Sequence, residues 1–120
     1  MTESIIKNKS YKFAIRIVKL YLYLRNEKKE FQLSKQILRS GTSIGANVEE
    51  ALGGQSKKDF LNKISIAYKE ARETNYWIRL LNDTGFIDKE MYDSIVKDSY
   101  ELLKILSKIQ ITVKEQIRNS

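Results

Sequence analysis

The chain has 120 residues, enough for one domain with one core; 42% are apolar and 31% charged, a balance too apolar for a disordered protein. It has no proline and only five glycines, which favours long helices and argues against a turn-rich β architecture. Cysteine and histidine are both absent, which removes disulfides, thiolate sites, the commonest metal ligand and the usual general base near neutral pH. An enzyme is therefore not expected, nor a metal or other cofactor.

The net charge is +7, and its placement is uneven. Residues 1–40 hold ten Lys/Arg against three Asp/Glu, whereas residues 41–120 hold twelve of each sign. The excess positive charge thus belongs to the front of the chain and predicts one basic surface. The opening MTESIIKNKS has no apolar run before a small-residue cleavage site, so no secretory leader is expected. No apolar stretch approaches the ~18 residues of a membrane span, so no membrane partner is expected and the cytoplasm fits best.

The punctuation divides residues 1–120 into four helices of a single domain, over about 10–25, 32–52, 56–84 and 88–118. The first runs from Ser10 to Arg25 and ends at Asn26-Glu27-Lys28-Lys29-Glu30. In the second, Leu33, Ile37, Gly41, Ile44, Val48 and Leu52 recur at helical spacing, and Gly53-Gly54 stops it. The third opens at Ser56 as N-cap with Asp59 three residues on. Its stripe of Phe60, Ile64, Ala67, Ala71, Thr74, Ile78 and Leu81 alternates four-three, the spacing of knobs-into-holes packing. After Gly85, Asp88 caps the fourth, whose stripe is Ile95, Ser99, Leu102, Leu106, Ile109 and Val113. Short connections make consecutive helices antiparallel neighbours, predicting an all-α, up-and-down four-helix bundle.

The first helix carries two apolar stripes about 120° apart at roughly 100° per residue. One is Tyr11, Ala14, Val18, Tyr21 and Leu22; the other is Phe13, Ile17, Leu20 and Leu24. A monomer needs one such stripe, so the second predicts self-association. Phe13, Ile17, Leu20 and Leu24 are assigned to an oligomer interface, joined by Ile66, Trp77 and Leu80 of the third helix. On the remaining side of the first helix, Lys9, Lys12, Arg16 and Lys19 form a cationic row with Tyr23 in its sector. Lys28, Lys29, Lys35 and Arg39 would extend it, giving a surface for phosphate neutralisation and base stacking. The same surface would also suit an acidic protein, which keeps open an interaction scaffold with no nucleic-acid role.

Gly41 and Gly45 each cost a helix about 1 kcal/mol relative to alanine and present a smooth face for a neighbouring backbone. Asn47, just off the stripe, would need hydrogen-bond partners if buried. Glu70 and Glu73 face either a carboxylate cluster with Glu49 and Glu50 or ion pairs with Arg39, Lys69 and Arg72.

Around these residues the sequence resembles the four-helix-bundle proteins encoded in intervening sequences of bacterial 23S ribosomal RNA genes. The matching positions are Arg39, Ser40, Ser43, Ile44, Ala46, Asn47, Val48 and Glu50, followed by Lys58 and Phe60. Ala51-Leu52-Gly53-Gly54 and Tyr68-Lys69-Glu70-Ala71 depart from the family pattern and mark a divergent branch. The resemblance implies a four-helix fold and a ring-like homo-oligomer, a pentamer, with no enzymatic activity. It is also similar to accessory proteins of diversity-generating retroelements, which implies an RNA partner.

Overall fold

A computed structural model describes residues 2–120. Its four helices are α1 (Thr2–Asn26), α2 (Leu33–Leu52), α3 (Lys57–Asp83) and α4 (Lys89–Arg118). They pack as an antiparallel up-and-down bundle measuring 52 × 21 × 21 Å. The fold is all-α, as predicted, and the stripes expected for α2, α3 and α4 lie along its axis. Ile37, Ile44, Val48, Ile64, Ala67, Ala71, Ile78, Leu81, Leu102 and Leu106 are all buried there.

The ends of the helices follow from local chemistry. The Ser56 hydroxyl accepts from the Asp59 backbone N–H at 3.1 Å, and Asp88 Oδ1 accepts from Met91 at 2.8 Å. Gly85, at φ +79°, ends the α3 turn and lets Phe86 N–H reach the Leu81 carbonyl at 3.0 Å. Lys29 plays the same part after α1 at φ +55°, where glycine is usual, and Glu30 N–H reaches the Leu24 carbonyl at 2.9 Å.

The start of α2 uses a cap from the polar cluster that precedes it. Glu30 Oε1 accepts from Ser34 N–H at 2.7 Å, and Oε2 accepts from Leu33 and Gln32 at 3.0 and 3.2 Å. Partial burial pushes the Glu30 carboxyl up, but these backbone donors together with the Ser34 hydroxyl outweigh it and hold the pKa below the ordinary 4.5. A lowered folded-state pKa contributes stability above the unfolded value, and that contribution is lost as pH falls through the folded one. Urea midpoints should therefore drop between neutral pH and pH near 4, and Glu30→Gln should flatten that drop while losing about 1 kcal/mol of capping at neutral pH. An unchanged acid limb in the variant would assign the acid sensitivity to other carboxylates.

Two expectations for α1 are corrected. It begins at Thr2, not at Ser10, because Ile6 reaches the core and Ser10 is buried in mid-helix, its hydroxyl donating to the Lys7 carbonyl at 3.2 Å. More consequentially, Phe13, Ile17, Leu20 and Leu24 are not an oligomer interface. All four are buried within the subunit, with Ile17 and Leu24 at 0% exposure. With Ile6 and Ser10 they form a continuous four-three stripe over six positions, which seats α1 in the bundle as the other three helices are seated. Of the α3 residues assigned to the same interface, Trp77 packs against the core, while Ile66 and Leu80 are half-buried.

Candidate nucleic-acid and assembly surfaces

The small-residue segment of α2 proves to be packing machinery. A Cβ built on Gly41 would stand 2.7 Å from Ile17 Cγ1, and one on Gly45 would stand 3.3 Å from the Ser10 carbonyl oxygen. The two glycines therefore let the α1 backbone approach α2. On the opposite side, the Ser40 and Thr74 hydroxyls are hydrogen-bonded between α2 and α3 at 2.9 Å. Arg39 bridges Glu70 and Glu73 of α3, and Glu73 also accepts from the Trp77 indole at 3.2 Å. Asn47 donates to the Ser43 carbonyl at 2.9 Å, which satisfies half of its amide within α2. The four acids do not converge: Glu70 and Glu73 sit on Arg39, Glu49 faces Lys7, and Glu50 faces Lys63. Among the described residues there is no group of three or more potential metal-ligating side chains.

The model of the 23S rRNA-intervening sequence protein family matches residues 2–108. The chain belongs to that family. Among the matching motif residues, Arg39, Ser40, Ser43, Asn47 and Glu50 tie α2 internally or to α3. A crystal structure of a protein with unknown function from the S23 ribosomal protein family of Bacteroides thetaiotaomicron is similar at 56% identity and a TM-score of 0.90. The similarity covers 92% of this chain and 98% of that one. No curated protein matches the chain.

The cationic row of α1 is only partly available. Arg16 is bound across the α1–α4 seam, donating to Asp98 Oδ2 at 2.7 Å, to Ser94 Oγ at 2.8 Å and to the Ser94 carbonyl at 3.3 Å. Lys9 pairs with Glu101 at 3.1 Å, further along the same seam. Half of the predicted row thus faces acids of α4, and Arg39 faces acids of α3. Lys12, Lys19, Lys28, Lys29 and Lys35 are exposed and make no ion pair among the described residues. Tyr23 is half-buried at the α1–α4 seam, where it lines a cavity of about 350 Å³ with Lys19, Leu20, Ile87 and Met91, and Lys28 Nζ lies 6.0 Å from its ring centre. Arg25 sits 5.4 Å from the Tyr21 ring and 5.7 Å from the exposed Phe31 ring, so the α1–α2 turn carries cations interleaved with aromatics.

The α1 stripe expected to face the core is instead the one left outside. Tyr11, Val18 and Leu22 are 65%, 40% and 47% exposed, and Ile15 joins them at four-three-four spacing. Beside this stripe lies a groove of about 290 Å³, lined by Tyr11 and Ala14 of α1 with Thr42, Gly45 and Ala46 of α2. Helix α1 thus does carry two apolar faces, of which Phe13, Ile17, Leu20 and Leu24 form the buried one and Tyr11, Val18 and Leu22, with Ile15, the exposed one.

Proposed function

We infer that this protein is a non-enzymatic, self-assembling bundle that associates with RNA through cations gathered by its assembly. The observation that carries this reading is the uncovered stripe Tyr11, Ile15, Val18 and Leu22, an apolar face of a kind that monomers rarely leave in water. Lys12 and Lys19 border it on the side of Ile15, about 40–60° around the helix at roughly 100° per residue. Copies docked through the stripe would bury it and bring these lysines of neighbouring subunits to one seam. A polyanion bound there offsets their repulsion, and the repeated weak site gains by avidity. A ring of five copies, as the family resemblance implies, would repeat the seam around its circumference.

Other features favour binding over catalysis. Besides Glu30, the lysine Lys89 has a displaced pKa, raised by its hydrogen bond and charge interaction with Asp93. One caps a helix and the other is an exposed i,i+4 pair, neither being the group in a cleft that acid-base chemistry requires.

The test is RNA affinity as a function of salt. Wild-type protein should bind a short RNA with an affinity that falls steeply as salt rises. Lys12→Glu combined with Lys19→Glu should weaken binding by about tenfold or more and shallow the salt dependence, with the melting temperature preserved because both side chains are exposed. Affinity and salt slope that match the wild type would remove α1 from the contact.

A further inference from the structure

We propose that the groove between α3 and α4 is a second nucleic-acid site, one that grips unpaired bases and their phosphates; it rests on the RNA reading above but not on α1. On α3, Tyr68, Arg72 and Tyr76 recur at intervals of four and Arg79 follows three residues on, so aromatic and cation alternate along one face. Together with Lys69 and with Leu103 of α4 they line a cleft of about 430 Å³, within the usual range for small-ligand sites of roughly 300–1,000 Å³. Tyr76 is 50% exposed, and Arg79 lies over its ring at 5.9 Å.

The decisive feature is how Arg79 is held. Asn75, one turn earlier, is only 6% exposed; its Oδ1 accepts from Arg79 Nε at 2.9 Å while its Nδ2 donates to the buried Ser99 hydroxyl of α4 at 3.2 Å. This amide fixes the guanidinium by its inner nitrogen and leaves both terminal nitrogens without a protein partner among the described residues. A planar fork presented in that way suits two phosphate oxygens, and its ordering cost has been met before binding. Lys69, Arg72 and Arg79 make no ion pair among the described residues, and the one acid on the cleft wall, Glu73, is bonded to Arg39 and Trp77. The site therefore combines uncompensated positive charge with a half-exposed tyrosine ring that Arg79 flanks. That is the chemistry of single-stranded RNA, in which bases are free to stack, and not of a duplex, in which they are not.

The experiment measures fluorescence anisotropy of the intact protein with a labelled oligouridylate of roughly 12 nucleotides and with an RNA duplex of equal length. Tyr76→Leu should weaken single-strand binding about tenfold while leaving duplex binding unchanged, and Arg79→Lys, which keeps the charge but loses the fork, should weaken it several-fold. Both positions are exposed, and unchanged thermal melting confirms that the variants fold. Wild-type affinity in both variants overturns the α3 site while leaving the RNA reading intact. Equal losses for single strand and duplex, or displacement by polyglutamate as effective as by unlabelled oligouridylate, overturn the base-stacking assignment. A wild-type protein that binds neither RNA sinks this site and the RNA reading together.

Discussion

Ile17→Ala should cost about 2–5 kcal/mol of stability, because a fully buried isoleucine in close packing leaves a cavity that its surroundings fill only in part. The same variant should reverse the sign of a second substitution. In the wild-type background, Gly41→Ala places a methyl 2.7 and 2.8 Å from the two γ carbons of Ile17. Those carbons branch directly from Cβ and have little rotamer freedom within a helix, so α1 must move away from α2. Overpacking of this kind costs about 1–3 kcal/mol, more than the roughly 1 kcal/mol that alanine gains over glycine in a helix. Gly41→Ala alone should therefore lower the urea midpoint. With Ile17→Ala in place, the clash is gone and part of the cavity is filled, so Gly41→Ala should raise it. A double-mutant cycle in which the two effects simply add would show that Gly41 does not serve the approach of α1.

The second large effect concerns assembly. Val18→Glu with Leu22→Glu places two like charges, one turn apart, on a face that docking would have to dry. Burying an unpaired carboxylate costs several kcal/mol, so association should weaken by a factor of a thousand or more, on the order of 4 kcal/mol. The fold should survive, because both side chains already lie in water within the subunit. Phe13→Glu makes the control. Phe13 is 2% exposed, so this change should unfold the chain and not merely divide it. The contrast separates the face that holds the subunit together from the face proposed to join copies. RNA affinity should fall in the Val18→Glu, Leu22→Glu variant even with every lysine intact, since avidity depends on assembly.

Helices α3 and α4 are legible from spacing alone, since each has one four-three stripe and a side-chain N-cap, Ser56 and Asp88. Helix α2 is legible from its helical spacing and the Gly53-Gly54 stop, but its Glu30 cap is not. Helix α1 could not be settled in that way, because Tyr11, Ala14, Val18 and Tyr21 follow the same spacing as the true core face. Two errors there shared one origin. A start at Ser10 leaves Ile6 outside the helix and makes the buried Ser10 its first residue. The stripe Ile6, Ser10, Phe13, Ile17, Leu20 and Leu24 then appeared no longer than its rival, which Lys7 and Arg25 interrupt at either end. A further clue lay in α2, where Gly41 and Gly45 require a closely approaching neighbour; Ile17 and Ser10, seven apart, supply it.

The candidate site was less legible for a different reason. The cationic row of α1 follows from helical spacing, but the partners of Lys9 and Arg16, namely Ser94, Asp98 and Glu101, lie some eighty to ninety residues away in the chain. Only the antiparallel register of α1 and α4 brings them opposite Lys9 and Arg16. The α3 ladder was missed because Tyr68, Arg72, Tyr76 and Arg79 read as an ordinary solvated face. What distinguishes it is Asn75, and a buried asparagine aimed at an arginine cannot be told from any other until its exposure is known.

Self-assembly requires that the exposed α1 stripe be covered by another copy of the chain, and the solution mass measures this directly. Light scattering on the wild-type protein at micromolar concentration should give a whole-number multiple, greater than one, of the 14.0 kDa chain. The Val18→Glu, Leu22→Glu variant should return close to that single-chain mass. A wild-type protein that scatters as 14.0 kDa leaves the stripe uncovered and rules out assembly through it.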